Sequence, residues 1–318
     1  MSIIEKAAGR IEHKKEEPTI GSPAPLSAPE SIIERSMHAA APAAPAAAAP
    51  AAAAAEAKAA PQHSAPPVAE TSIAPRPGAR VVELDLARMQ SMGLVTAAGG
   101  RTALVEDFRI IKRPLLKRAF AEPAQNGRPG NLIMITSSLP GEGKTFCAIN
   151  LAMSIAMELD HTVLLIDADV ARPSVLSTLG LPAHRGLMDV LLDDKLDVAD
   201  VMLRTNVDTL SIISAGSSNP RATELLASQA MNALVEEIAH RYPDRIVIFD
   251  SPPLLLTSEA HVLAAHMGQI VVVVEAEATT QHAVKEALSQ LEGLDNVNLI
   301  YNKTHEFPGT ETYNYNYG

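Results

Sequence analysis

The segment SLPGEGKT at Ser138–Thr145 follows the apolar run LIMI at Leu132–Ile135 and precedes the helical pattern FCAINLAMSIAME at Phe146–Glu158. A glycine-rich turn between a buried strand and a helix is typical of a phosphate-binding loop, because its N–H groups and the helix dipole favour an anion. Ser138 stands where the usual pattern has its first glycine. The order of strand, loop and helix predicts a nucleotide site rather than an ordinary glycine-rich turn.

The loop gives distinct roles to two adjacent side chains. We expect Lys144 to contact the β- and γ-phosphates of the nucleotide and the Thr145 hydroxyl to ligate Mg²⁺. The remaining cofactor contacts are expected from the loop and the first residue after it: Pro140, Gly141, Glu142, Gly143 and Phe146.

Continuous apolar runs alternate with amphipathic helical patterns along the rest of the folded part. This alternation predicts an α/β fold of the P-loop NTPase class, a mostly parallel sheet with helices on both faces. The predicted strands are Leu132–Ile135, Thr162–Asp167, Thr209–Ser214, Arg245–Asp250, Gln269–Glu275 and Val297–Tyr301, and the predicted helices include Phe146–Glu158, Thr223–His240 and Thr280–Leu291.

Three carboxylates fall at the ends of predicted strands. Asp167 and Asp169 follow one apolar run and Asp250 ends another. Ligands of parallel sheets bind at the carboxyl ends of the strands, so we expect all three at the site. Asp250 is the natural carboxylate for the shell of Mg²⁺, and one of the other two could hold the metal while its neighbour accepts a proton. Each could instead cap a helix or loop, and Arg172 could meet a phosphate or pair with an acid.

Composition divides the chain into unequal parts. An Ala- and Pro-rich stretch at Met37–Ala74 lacks the residues for a core, so residues 1–78 are predicted to be disordered. Residues 79–308 form the predicted P-loop domain, and residues 309–318 a flexible tail. The net charge of −11 argues against a nucleic-acid partner.

The chain contains one cysteine, Cys147, so it cannot form an intramolecular disulfide, which fits a reducing cytoplasm. No signal peptide or membrane-spanning helix is predicted. Any membrane association would most simply come through a partner.

The carboxyl terminus concentrates tyrosine. Tyr313, Tyr315 and Tyr317, three of the five tyrosines, lie in the last six residues and alternate with asparagine. The stretch has no core pattern, which indicates that something binds or modifies these side chains. The other interpretation is a short edge strand or a sticky tail.

Together these features resemble the bacterial tyrosine autokinases (BY-kinases) of the capsule and exopolysaccharide type, particularly those associated with exosortase loci. The resemblance covers about Leu104–Gly318. It rests on PGEGKT at 140–145, on IDAD at 166–169 with Arg172-Pro173, on IFDSPP at 248–253, and on the tyrosine tail.

The resemblance implies ATP and Mg²⁺ as cofactors and phosphorylation of Tyr313, Tyr315 and Tyr317 by a neighbouring copy. It assigns Lys144 and Thr145 to the binding of ATP and Mg²⁺. It gives metal and base roles to Asp167, Asp169 and Asp250, with Asp167 as the candidate base. Asn302 is a possible adenine contact by similarity, although asparagine is also a common turn residue.

A subunit contact is also implied. The family's Glu-x-x-Arg-x-x-Arg helix is matched by Glu106, Arg109 and Lys112, with lysine in place of the last arginine. At a spacing of three these side chains are expected to share one helical face, which could equally be a solvated charged face. Pro114 is expected to end or kink this helix.

The implied setting is a cytoplasmic protein recruited to the inner face of the membrane. Its expected partners are further copies of itself, a separate membrane chain-length regulator that activates it, and a phosphotyrosine phosphatase. A partition-type ATPase shares the predicted fold but carries a signature lysine where this chain has Leu139. The third interpretation, a non-catalytic nucleotide-binding scaffold for polysaccharide export, predicts missing carboxylates, and none is missing.

Overall fold

The computed structural model describes residues 80–121, 128–241, 244–294 and 296–304. The predicted N-terminal region, residues 1–78, and the tail with Tyr313, Tyr315 and Tyr317 lie outside the described residues. The predicted domain boundaries therefore stay predictions.

The described residues build one eight-stranded sheet. Its strands are β1 Arg80–Val82, β2 Leu132–Ser137, β3 Thr162–Asp167, β4 Leu203–Thr205, β5 Leu210–Ile213, β6 Arg245–Asp250, β7 Gln269–Glu275 and β8 Val297–Asn302. They lie in the order β1-β4-β5-β3-β6-β2-β7-β8, and neighbouring strands pair in parallel except for β4 and β5, which are antiparallel. The prediction of a mostly parallel sheet is confirmed.

Helices cover both faces of the sheet, because successive side chains of a buried strand point to opposite sides. Ile133 of β2 packs in the same cluster as Phe108 and Met153, whereas the next residue, Met134, packs in a second cluster with Ile238. The helices are α1 Leu86–Ser91, α2 Ala103–Ala119, α3 Lys144–Ala156, α4 Val175–Leu179, α5 Leu187–Leu192, α6 Val198–Val201, α7 Ala222–Leu226, α8 Gln229–Arg241, α9 Ser258–Ala264 and α10 Gln281–Ser289.

The single helix predicted over Thr223–His240 is wrong, since the structure has α7 and α8 with a break at Ser228. The Ser228 hydroxyl donates to the carbonyl of Leu225 at 2.7 Å and lies 3.2 Å from the N–H of Met231. Serine side chains compete for backbone groups in this way and favour helix ends.

Helix α2 continues past Pro114 instead of ending there. Proline removes the hydrogen bond to the carbonyl four residues earlier, here that of Ile110. Both Pro114 and Ile110 are exposed, so water can reach that carbonyl.

None of the helices within the described ranges is both long and apolar enough to cross a bilayer.

Candidate nucleotide and phosphoryl-transfer site

The candidate site lies where β3, β6 and β2 end side by side. Asp167 of β3 is directly opposite Asp250 of β6, and Asp250 is opposite Ile135 of β2. The phosphate-binding loop leaves β2 at this edge and turns into α3 at Lys144. The strand register thus brings the loop and the acids together, as the sequence predicts.

The loop needs glycine at two positions. Gly141 and Gly143 have φ angles of 87° and 95°, in the left-handed region that residues with a Cβ rarely adopt. A Cβ on Gly143 would also clash with the side-chain nitrogen of Asn302. Ser138 does not adopt a positive φ angle, which explains why this chain can carry serine at the position of the usual first glycine.

Lys144 and Thr145 point into the cluster of acids. The Nζ of Lys144 is 2.6 Å from Oδ2 of Asp169 and 3.8 Å from Oδ1 of Asp250. The Thr145 hydroxyl donates to Oδ2 of Asp250 at 2.6 Å. A nucleotide phosphate would compete with Asp169 for the Lys144 ammonium.

Asp167 and Asp169 lie two residues apart but face different partners. Asp167 is buried, and its carboxylate accepts the N–H groups of Asp169, Ser174 and Val175 at 2.9 to 3.2 Å. Asp169 is also buried, but it borders the cleft: its Oδ2 contacts Lys144, and its Oδ1 accepts the N–H of Arg172 at 3.0 Å. In this conformation Asp167 fixes the loop after β3, whereas Asp169 is the carboxylate that a ligand could touch.

Two clefts flank the loop. The first has a volume of about 540 Å³ and is bordered by Lys144, Asp169 and Arg172. The second has a volume of about 580 Å³ and is bordered by Phe146 and Asn302. Gly143 borders both clefts, so an extended ligand could cross the loop there.

Burial dominates the electrostatics of the acids. It raises the pKa of Asp250 to about 7, against the opposing effect of the Lys144 ammonium. It also raises the pKa of Asp167 to about 6, although the N–H groups of Val175 and Ser174 favour the charged form. Carboxylates that titrate this high release their protons more readily when a cation binds beside them.

The residues suit Mg²⁺. The Oδ1 atom of Asp250 is buried and accepts no hydrogen bond within the described part of the chain. Mg²⁺ takes oxygen ligands, commonly one or two carboxylates completed by water and phosphate, so Asp250 and the Thr145 hydroxyl fit it. Over the same residues no cluster of three or more His, Cys, Asp or Glu side chains suits a metal.

Sequence reasoning missed Ser174, whose hydroxyl lies 2.9 Å from that of Thr145. Ser174 directly follows the Arg172-Pro173 pair, which was the available signal. It joins the loop fixed by Asp167 to the candidate metal ligand.

The expectation that Glu106, Arg109 and Lys112 share one face of α2 is wrong. Glu106 and Arg109 form an exposed ion pair at 3.1 Å, but Lys112 is 4% exposed. Its Nζ donates to the carbonyl of Ser154 at 2.6 Å and pairs with Glu158 at 2.5 Å. Each step of three residues turns the helix 60° short of a full circle, so six residues displace a side chain by about 120°.

Comparison with known proteins agrees with this geometry. The sequence pattern of the AAA domain family matches residues 130–304, more than half of the chain. The chain is 35% identical over 187 residues to the tyrosine-protein kinase YwqD of Bacillus subtilis strain 168, covering 58% of this chain and 75% of YwqD. It is 32% identical over 197 residues to the tyrosine-protein kinase CpsD of Streptococcus agalactiae, covering 61% and 84%.

Among solved structures, the kinase domain of the Escherichia coli tyrosine kinase ETK superposes with a TM-score of 0.53 at 28% identity. The match covers 65% of this chain and 80% of that domain. By contrast, the chain spans only 24% of the longer EpsB of Ralstonia solanacearum, to which it is 31% identical. The chain carries a P-loop site and an AAA domain, and it is 35% and 32% identical to the tyrosine-protein kinases YwqD and CpsD. It therefore belongs to the bacterial tyrosine-protein kinases.

Proposed function

We propose that the protein uses ATP and Mg²⁺ to phosphorylate Tyr313, Tyr315 and Tyr317 in the tail of a neighbouring copy. The observation that carries the proposal is the convergence of Lys144, the Thr145 hydroxyl and two carboxylates on a cleft beside the phosphate-binding loop. The tyrosines lie outside the described residues, so their part rests on the sequence and on the family.

The nucleotide would lie across Gly143. The triphosphate would occupy the cleft beside Lys144, and the base would enter the second cleft, near Phe146 and Asn302. Asn302 already donates to the carbonyl of Glu142, which leaves its side-chain oxygen as the atom for the base. Thr145 and Asp250 would hold Mg²⁺, which when bound neutralises charge on the phosphate oxygens.

The transfer requires a base and a cation near the reacting atoms. A tyrosine oxygen forms the new bond to the γ-phosphorus while the bond from that phosphorus to ADP breaks. Lys144 would leave Asp169 for the phosphates and stabilise the developing charge. Asp169, released from Lys144 and bordering the cleft, would accept the tyrosine proton.

This proposal changes the assignment suggested by resemblance, in which Asp167 is the base. Asp167 is held by three backbone N–H groups and is not among the residues that border the cleft beside Lys144, whereas Asp169 accepts one backbone N–H, that of Arg172, and borders that cleft. We assign Asp167 instead the positioning of the loop that carries Asp169 and Ser174. Arg172 borders the same cleft and is the candidate contact for the incoming phosphate or acceptor.

The proposed cellular role rests on the resemblance to the bacterial tyrosine-protein kinases. We propose that the protein regulates exopolysaccharide synthesis or export from the cytoplasmic side of the membrane. A separate membrane chain-length regulator would recruit and activate it, and a phosphotyrosine phosphatase would reverse the modification. A pull-down from native cells that recovers no membrane protein would count against this setting.

The function is tested by incubating purified protein with ATP and Mg²⁺ and then measuring intact mass and mapped phosphotyrosine. We expect phosphate on the tail tyrosines of the wild type and of Lys285→Met, an exposed control on α10, and none on Lys144→Met. ATP turnover without phosphotyrosine, even with a candidate membrane partner added, would favour a nucleotide switch or a scaffold instead.

A further inference from the structure

The outer side of the phosphate-binding loop is held by two side chains from the end of β8. The Asn302 side-chain nitrogen donates to the carbonyl of Glu142 at 2.8 Å. The Nζ of the next residue, Lys303, donates to the carbonyl of Gly141, also at 2.8 Å. Two successive peptide units of the loop are therefore held by their carbonyl groups.

Fixing these carbonyls also fixes the opposite side of each peptide unit. The C=O and N–H of a trans peptide point in opposite directions. Held in this way, the units direct the N–H groups of Glu142 and Gly143 away from β8. Within the described residues neither N–H donates to a backbone carbonyl, so both are available to an anion.

Lys303 is itself held in place. Its Nζ lies 3.0 Å from Oε2 of Glu275, at the end of β7. Its φ angle of 57° is in the left-handed region, which is uncommon for a residue with a side chain and is often found at functional sites.

We propose that Lys303 is a positioning residue for phosphate recognition, which orients the Glu142 and Gly143 N–H groups by holding the carbonyl of Gly141. The inference rests on the nucleotide binding of the proposed function, but not on phosphoryl transfer or on the tail. Lys303 lies outside the phosphate-loop motif and reaches it from a distance of 162 residues along the chain.

The alternative role for Lys303 is a positive charge near the phosphates. Glu275 pairs with that charge at 3.0 Å, and the lysine contacts the outer side of the loop. The two roles differ in what a neutral donor can replace. Glutamine could still donate to Gly141, whereas methionine could not.

The test compares affinities for ADP and AMP, in the presence of Mg²⁺, for the full-length chain. The variants are Lys303→Met, Lys303→Gln and the exposed control Lys285→Met, which makes the same change in net charge. ADP has the β-phosphate that the loop is expected to bind, and AMP lacks it. Thermal unfolding without nucleotide monitors the fold.

We expect Lys303→Met to weaken ADP binding by about tenfold and AMP binding by less than about twofold, with Lys303→Gln in between. The control should match the wild type. Unchanged ADP affinity in Lys303→Met would overturn the inference, as would equal losses for ADP and AMP. Equal losses in the methionine and glutamine variants would mean that Lys303 acts by charge.

If Lys303→Met does not fold, the glutamine variant decides the same question, because the inference requires it to weaken ADP binding more than AMP binding. Absence of ADP binding by the wild type would instead remove the proposed function.

Discussion

The phosphate-binding loop and its helix α3 have two environments that are built in different ways. On the cleft side, Lys144 and Thr145 contact side chains, namely those of Asp169 and Asp250. Away from the cleft, lysines contact backbone carbonyls. Lys303 donates to the carbonyl of Gly141 in the loop, and Lys112 donates to the carbonyl of Ser154 near the other end of α3. Side-chain pairs can exchange partners when a ligand arrives, whereas contacts to carbonyls fix the backbone that the ligand meets.

The largest effect should come from the cleft side. Lys144→Met removes the cation that would meet the phosphates, and we expect tail phosphorylation to fall by about 10³-fold or more. The free energy of unfolding should change less, because Asp250, whose pKa is already raised to about 7, can take up a proton when the cation is removed. Initial rates of phosphotyrosine formation and urea unfolding of the same samples check both statements. A parallel collapse of stability would mean that Lys144 belongs to the scaffold.

The buried acids should make stability depend on pH. The pKa of Asp250 is raised to about 7 and that of Asp167 to about 6, whereas carboxyl groups of the unfolded chain titrate near 4. The folded protein keeps protons that the unfolded chain has released, so this contribution to stability is present below about pH 4 and is lost as pH rises to about 7.

We expect Asp250→Asn to remove a loss on the order of 2–4 kcal/mol between pH 4.5 and pH 8. Urea unfolding of both proteins without nucleotide gives the difference, which cancels the titration of other groups. A difference that does not change with pH would contradict the raised pKa of Asp250.

The contact of Lys112 with the carbonyl of Ser154 should instead affect stability. Lys112→Met leaves the carbonyl of Ser154 without its donor. It also removes the hydrogen bond between Lys112 and Glu158, which is the main cause of the lowered pKa of Glu158. We expect a loss of about 1–2 kcal/mol in the free energy of unfolding. Arg109→Met, which breaks an exposed pair on the same helix, should change it by less than about 0.5 kcal/mol. Equal effects of the two variants in urea unfolding would remove the distinction between them.

A smaller effect than that of Lys112→Met is expected at Thr279. Its hydroxyl donates to the buried carboxylate of Glu142, whose other oxygen accepts the N–H of Leu139 at 2.6 Å. Thr279→Val should lower the free energy of unfolding by about 1 kcal/mol. Thr280→Val is a less suitable control because Thr280 caps α10, so the exposed Thr304→Val serves instead. No difference between Thr279→Val and Thr304→Val would argue against a role for this contact.

The sequence predicts best what the strands determine. Asp167 and Asp250 end apolar runs of a parallel sheet, and the register of the two adjacent strands places these residues opposite each other. The short strands β1 and β4 escape prediction, since three residues carry almost no periodic signal.

Side-chain direction is harder to predict. Asp167 and Asp169 are both placed at the sheet edge by the sequence, but backbone N–H groups after β3 decide which one borders the cleft. Lys112 turns inward because of helix rotation, which residue spacing alone makes easy to overlook. The contact of Lys303 with Gly141 joins residues 162 apart, and no local pattern marks it.

We propose that the cleft of one copy phosphorylates the tail of another. The most direct test mixes two full-length variants with ATP and Mg²⁺, each defective in one part. One is Lys144→Met with its tail intact, and the other carries Tyr313→Phe, Tyr315→Phe and Tyr317→Phe with its cleft intact. We predict phosphotyrosine on the tail of the Lys144→Met chain in the mixture and on neither variant alone. No phosphate in the mixture, under conditions in which the wild type phosphorylates itself, would contradict transfer between copies.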